Sequence, residues 1–263
     1  MIKDPEFSII IPTYNNIGLF KKSFNSVLAQ KNVTTQIIIV DDSNENNDIE
    51  EYMKANIDSH IVYLHNKPSL GAVKNWNYGL NKAKGKYIVL MHHDEAFIED
   101  FALHRISESL KHNNIVICNL LVRNINGKSY ILYPTWIKKL FIHVPSLLFL
   151  VNAFGATAVF SFKKELLTHF DDRLKWFVDV EWFFRLMKNH SVYYLPYTFI
   201  ESYHGHKYQI TNTINQMLTA KNDATIIKKK YANSLIIRIA LIINIYILHN
   251  RHLHKILKTL FRR

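Results

Sequence analysis

Cysteine is nearly missing from this chain. Its single thiol, Cys118, excludes an intrachain disulfide framework and a cysteine-rich zinc site. Two nucleotide-binding fingerprints are missing as well. No G-x-G-x-x-G follows the first strand-like segment, and no G-x-x-x-x-G-K-[ST] occurs anywhere. The apolar run at residues 235–248 is 14 residues long and interrupted by Arg238 and Asn244. A spanning helix needs about 20 apolar residues. No basic-then-apolar leader opens the chain at Met1-Ile2-Lys3-Asp4-Pro5-Glu6, so a reducing cytoplasm is the expected setting. Acidic residues stop at Asp223. Residues 224–263 hold nine of the 33 Lys and Arg, and so carry most of the net charge of +12.

What is present is enough apolar material for a real core: 263 residues, 48% of them hydrophobic, suit one large domain or a domain with an appendage. Strand-like runs at 7–11, 36–40, 60–65, 86–91 and 115–121 alternate with helical periodicity at 18–30, 49–55, 70–82 and 101–111. That alternation predicts an α/β domain around a mostly parallel sheet. A short helix is predicted at 163–170, a better one at 178–188, and a strand at 191–195 stopped by Pro196. Two strands end in acid, Asp41-Asp42 and Asp94-Glu95. Ligands of such sheets bind beyond the carboxyl ends of the strands, so both clusters are expected to flank one crevice. Tyr14, just past the first strand, can stack on a base. Asp42 can accept from a base N–H or hold ribose hydroxyls. The first half therefore points to a nucleotide.

Several short segments in order carry a resemblance. They are Ser8-Ile9-Ile10-Ile11-Pro12-Thr13-Tyr14-Asn15, Val27-Leu28-Ala29-Gln30, Ile39-Val40-Asp41-Asp42-Ser43, and Asn66-Lys67-Pro68-Ser69-Leu70-Gly71. Asn77-Tyr78-Gly79-Leu80, Ala83-Lys84-Gly85-Lys86-Tyr87-Ile88, His92-His93-Asp94-Glu95, Gly155-Ala156 and Asp179-Val180-Glu181-Trp182 follow. Over residues 7 to about 190 the chain resembles a family 2 glycosyltransferase of the GT-A fold, of the kind found in bacterial surface polysaccharide or lipopolysaccharide synthesis. The implied fold is a Rossmann-like sheet flanked by helices, with a helical C-terminal extension. The implied domain is 1–210, with a nucleotide-binding half at about 1–122 and an acceptor half at about 123–210, followed by a basic amphipathic extension at 211–263.

The resemblance implies an inverting enzyme that moves a sugar from a nucleotide-diphosphate donor, a UDP-sugar, to a saccharide hydroxyl. Pro12, Tyr14, Asp42, Gly71, Asn77, His92, His93 and Lys207 are the expected donor-binding residues. The family's D-x-D-like metal motif reads His92-His93-Asp94 here. Asp94 is the expected ligand of Mn²⁺ or Mg²⁺, hard ions that bridge diphosphate oxygens. A histidine of Ser202-Tyr203-His204-Gly205-His206 is expected to help hold that metal, with His204 preferred over His206. Asp179 matches the catalytic base, which would take the acceptor proton. Glu181 is the fallback.

The tail invites a membrane reading. Arg251, Lys255, Lys258 and Arg262 recur on one helical face, and Leu253, Ile256, Leu257 and Leu260 on another. That pattern suits a helix lying on an anionic membrane surface, with the enzyme peripheral on the inner face of the bacterial plasma membrane and a lipid-linked acceptor. Packing on the catalytic domain or on a second subunit, in a homo-oligomer, is the alternative. No nucleic-acid partner is expected. Two other functions stay open: a nucleotidyltransferase that makes a nucleotide-sugar, and a non-catalytic nucleic-acid-binding or carbohydrate-binding module.

Overall fold

The computed structural model of the protein describes residues 4–44, 47–207, 209, 214–250 and 253. Runs that are apolar at nearly every position form the middle of its sheet. These are β1 (Phe7–Thr13), β2 (Thr35–Asp41) and β4 (Tyr87–Leu90), with β3 (Ile61–His65) beside β2. Strands buried on both faces need cover on both sides. The helices α1 (Ile17–Leu28), α2 (Asp48–Lys54), α3 (Ala72–Leu80) and α4 (Ala102–Leu110) supply it. Gly79 lets α3 lie close on the sheet, since a Cβ there would meet Ile10 Cγ2 at 2.5 Å and Val40 Cγ2 at 2.8 Å.

The other strands are β5 (Glu95–Phe97), β6 (Ile115–Asn124), β7 (Ser129–Ile131), β8 (Phe160–Lys163) and β9 (Val192–His204). The sheet order is β3-β2-β1-β4-β8-β6-β9-β5, with β7 added on β6. The first four strands pair in parallel, as the alternation predicts. Beyond β4 the sheet is mixed: β8 runs antiparallel to β4 and β6, β5 antiparallel to β9, and β6 parallel to β9. From β1 the chain builds outward to β2 and β3 on one side, then returns to add β4 on the other. A crevice opens at such a switch point.

The second half packs its aromatics into one core with the first. The rings of Phe160 and Phe183 stack with centroids 4.0 Å apart, and those of Phe170 and Trp182 at 4.4 Å. Two more helices belong here, α5 (Thr135–His143) and α6 (Val178–Met187). On α5, Lys138 is fully buried and its Nζ donates to Asn119 Oδ1 at 2.6 Å. Burial holds that ammonium down at about 8.

Three expectations change. Residues 163–170 are not a helix: a 3-10 turn covers Lys164–Leu166, and the rest makes tertiary bonds instead. The Thr168 carbonyl accepts from Trp182 Nε1 at 2.7 Å, and Phe170 is held through its own N–H and C=O. Pro196 does not stop β9. The β6–β9 ladder passes from Ile117↔Tyr194 to Asn119↔Thr198, so the proline falls in an irregular stretch where no ladder donor is needed. The short strand β5 was not anticipated.

The C-terminal helices α7 (Gln216–Lys230) and α8 (Leu235–His249) are packed against the core. α7 buries Ala220, Asp223, Ala224 and Ile227. Asp223 Oδ2 accepts from the N–H groups of Lys175, Trp176 and Phe177 at 2.9, 2.7 and 2.9 Å. Asn244 of α8 donates to the Leu150 carbonyl at 2.8 Å. Among the described residues, no helix is long and apolar enough to cross a membrane. The amphipathic pattern at Arg251, Lys255, Ile256, Leu257, Lys258, Leu260 and Arg262 lies outside the described residues.

Candidate active site

A cavity of about 850 Å³ opens where β1, β2 and β4 end. Pro12, Thr13 and Tyr14 bring the first wall. The turn after them is fixed by Asn16, which caps α1 by accepting from Leu19 N at 3.1 Å, and by Asn15, whose N–H donates to Ser43 Oγ at 2.8 Å. The Tyr14 hydroxyl donates to Asn44 Oδ1 at 3.0 Å, and the residue lines the cavity wall.

The paired aspartates after β2 divide their work. Asp41 is buried and accepts from Tyr63 OH at 2.7 Å and Ser43 N at 2.9 Å. Asp42 lines the cavity, but its carboxylate is turned onto the loop before α3. Oδ1 accepts from Leu70 N at 2.7 Å and Asn66 Nδ2 at 3.0 Å, and Oδ2 from Ser69 Oγ at 2.6 Å and Gly71 N at 2.8 Å. Four donors use up the acceptor capacity of one carboxylate. Asp42 therefore shapes the wall that Ser69 and Gly71 present, rather than offering a free oxygen to a base or ribose. Gly71 itself sits at φ +81°, a region that favours glycine.

The segment after β4 holds the densest chemistry. Glu95, buried by the pairing of β5 with β9, accepts from His92 N at 3.1 Å and Ala158 N at 3.3 Å through Oε2. Its Oε1 lies 3.2 Å from His92 Nδ1, and Thr157 Oγ1 lies 3.3 Å from the same nitrogen. Trp76 covers the imidazole, ring centroids 4.7 Å apart. Nε2 of His92 is thereby buried in the cavity wall with no hydrogen-bond partner. Burial opposes charge on this ring, but Glu95 beside it, with Asp179 and Asp94, lifts it to about 9. On His93 burial wins and the imidazole is pushed down.

Asp94 Oδ2 lies 3.1 Å from Nε2 of His206. Burial would raise this carboxyl; the His206 bond and the imidazoles of His93 and His92 bring it down to about 2 instead. His204, preferred from sequence, and His206 both line the cavity, and the bond to Asp94 described above is made by His206. Lys207 lines the cavity as well.

Asp179 enters from the first turn of α6. Its Oδ1 is buried without a partner, and burial raises the carboxyl against the pull of His92. Glu181, two residues on, faces away. It is fully buried outside the cavity, bonded to Arg185 Nε at 2.9 and 3.0 Å, Lys230 Nζ at 2.9 Å and Tyr231 OH at 2.5 Å. A group so held is no fallback base. Asn77 is also removed from the donor set: its amide bonds the Phe170 backbone at 3.0 and 2.8 Å and pins α3 to the second half. Sequence reasoning missed Glu95 as the holder of His92, along with Trp76 and Thr157. The burial that gives them these roles depends on β5 and on residues more than 60 positions apart.

The donor set fits a hard divalent ion. His92, Asp94 and Glu95 could each bring one ligand atom within 4.8 Å of the others. Both Glu95 oxygens are already committed, so Asp94 with His206 is the better pair. One carboxylate and one imidazole leave most of the coordination sphere of Mn²⁺ or Mg²⁺ to diphosphate and water. The unpartnered His92 Nε2 and Asp179 Oδ1 are buried polar atoms of the sort a bound ligand satisfies.

The pattern of Glycosyl transferase family 2 matches residues 8–170. An uncharacterized glycosyltransferase of Rickettsia typhi is 32% identical over 229 residues, which covers 81% of this chain and 68% of that protein. The Escherichia coli UDP-Glc:alpha-D-GlcNAc-diphosphoundecaprenol beta-1,3-glucosyltransferase WfgD is 31% identical over 106 residues, 40% of this chain and 42% of that one. The crystal structure of S. aureus TarS residues 1–349 in complex with UDP-GlcNAc superposes with a TM-score of 0.65 at 15% identity. That superposition covers 85% of this chain and 66% of that one, and speaks for the shared fold.

Proposed function

Because this chain belongs to glycosyltransferase family 2, a transferase on the GT-A fold, we propose that it moves a sugar from a UDP-sugar to a saccharide hydroxyl by single displacement with inversion. The observation that carries this reading is a convergence in one cavity. The Asp94–His206 pair from β4 and β9, the unpartnered Asp179 oxygen from α6 and the nucleotide wall from β1 and β2 all line it.

Each residue has a task. Tyr14 offers its ring to the base, and the loop held by Asp42 closes the wall beside it. Asp94 and His206 are the residues that would hold Mn²⁺ or Mg²⁺, which would offset the charge of the diphosphate. His92, its pKa drawn upward by Glu95 beside it, presents its unpartnered Nε2 at the cavity wall, where a donor phosphate can satisfy it. Asp179 takes the proton of the acceptor hydroxyl; its raised carboxyl brings it closer to that proton's needs than an exposed aspartate. An attack opposite the leaving phosphate leaves no glycosyl-enzyme and inverts the anomeric carbon.

The acceptor side favours a lipid-linked saccharide, in the assembly of a surface polysaccharide or lipopolysaccharide at the inner face of the membrane. The support is the WfgD likeness and an apolar strip of Leu120, Val122 and Leu132 in the same cavity. A panel of nucleotide-sugars with lipid-linked and soluble acceptors tests the reading. Expected products are free UDP and a glycoside of inverted configuration by NMR. Released pyrophosphate would mean a nucleotidyltransferase, a retained configuration would overturn single displacement, and no turnover with any donor would mean a binding module.

A further inference from the structure

The helix α8 has two faces of opposite fate. At 100° per residue, Leu235, Ile239, Ile242 and Tyr246 form one stripe, with Ile236 and Ile243 beside it. These six side chains are 41 to 70% exposed, while Ile237, Ala240 and Leu241 on the other face are buried against the protein. A contiguous apolar surface of this extent marks an interaction site. Fifteen residues give a helix of about 22 Å, too short to span a bilayer and long enough to lie on one.

At the start of α8 lies a groove of about 670 Å³, separate from the active-site cavity. His143, Lys188, Lys229 and Lys230 line it, and no carboxylate does. Lys230 is turned inward, 2.9 Å from both Asp171 and Glu181. Lys188 and Lys229 are exposed and, among the described residues, pair with no carboxylate. Arg238 adds an exposed cation at the flank of the apolar stripe. Arg238 at the flank of the stripe and the lysine-lined groove at the start of the same helix decide what covers it. A second copy placed over α8 by a two-fold axis would set the same cations against themselves. An anionic bilayer satisfies both halves of the surface: acyl boundary for the stripe, headgroup phosphates for the groove.

We propose that the outer face of α8 and the lysine-lined groove at its start form one docking surface for an anionic phospholipid bilayer. The surface connects to the active site through a short path. Asn244 of α8 holds the Leu150 carbonyl, and two and five residues later Asn152 and Gly155 line the catalytic cavity. Docking therefore fixes one cavity wall relative to the membrane, which suits the lipid-linked acceptor proposed above. That last step rests on the proposed reaction, whereas the docking itself does not.

The test uses the full chain and two double variants, Ile239→Glu with Ile242→Glu, and Lys188→Ala with Lys229→Ala. Sedimentation is measured with vesicles of phosphatidylcholine alone and with phosphatidylglycerol added. Wild type is expected to bind the anionic vesicles, less at high salt, and to bind the neutral ones weakly. Each double variant should bind the anionic vesicles about tenfold more weakly or worse, at unchanged melting temperature and unchanged turnover of a soluble acceptor. Wild-type binding by either folded variant overturns the proposal. So does a wild-type chain that ignores anionic vesicles, or a concentration-dependent dimer dissolved by the glutamate pair. Vesicle binding without sugar transfer upholds the docking and overturns the reaction.

Discussion

Replacing Asp42 with Asn changes one atom in the cavity wall and separates two roles for that residue. In the fold its two oxygens accept four hydrogen bonds from Asn66, Ser69, Leu70 and Gly71. An amide keeps one acceptor oxygen and turns two donors of its own toward donors, so at least two bonds are lost. Hydrogen bonds to a charged group are worth about 1.5–3 kcal/mol each. Ser69, Leu70 and Gly71 are exposed, and water can replace part of that loss, so the low end applies. The expected cost is about 3 kcal/mol, a fall in melting temperature of roughly 6–12 °C for a chain of this size. UDP affinity should weaken moderately as the loop loosens. Urea unfolding followed by tryptophan fluorescence, with calorimetric titration of UDP, measures both. Unchanged stability combined with abolished UDP binding would refute the structural role and return Asp42 to direct contact with the nucleotide.

Asp179→Asn should lower turnover by about 10²-fold or more while leaving UDP affinity near wild type, whereas Glu181→Gln should chiefly destabilise, since it breaks a buried ion pair worth about 3–5 kcal/mol to disrupt; steady-state kinetics beside melting curves distinguish them. Asp94→Asn should remove the Mn²⁺ dependence of UDP binding, and His206→Ala should weaken it, both read by titration with and without the metal. Lys138→Met should stabilise at neutral pH. The Lys138 ammonium is held at about 8 in the fold against an ordinary 10.5, so its burial penalty is full below pH 8 and is relieved as pH rises to about 10.5. The gain should reach up to about 3 kcal/mol at pH 7, less the bond to Asn119, and fade above pH 8; a gain that does not change with pH would contradict this.

The first half of the chain was legible because its signals are local. Runs such as Ile9-Ile10-Ile11 and Ile37-Ile38-Ile39 can only be buried strands, and the polar residues that end them must gather at one edge. Pairings distant in sequence were not legible. Glu95 reads as the second acid of a cluster, yet its backbone pairs with Ser202 on β9, and that pairing makes it the buried holder of His92. Glu181 stands in the sequence as the fallback to Asp179, two residues away. Lys230 and Tyr231, 49 and 50 positions on, take Glu181 out of play and leave Asp179 facing the cavity. Asp42 deceived for the opposite reason: its place at the strand end was right, but its partners come from the loop before α3.

The three backbone bonds that Asp223 collects have a practical meaning for shortening the chain. They hold residues 175–177, from which α6 starts and carries Asp179 two residues later. Tyr231 and Lys230 then fix Glu181 on the same helix. A fragment cut at the end of the family match, residue 170, would lose Asp179, the proposed base. One cut between α6 and α7 would keep Asp179 but release its support. The smallest piece expected to transfer sugar therefore runs past Tyr231, and α8, which buries Ile237, Ala240 and Leu241 and holds the Leu150 carbonyl through Asn244, extends that support.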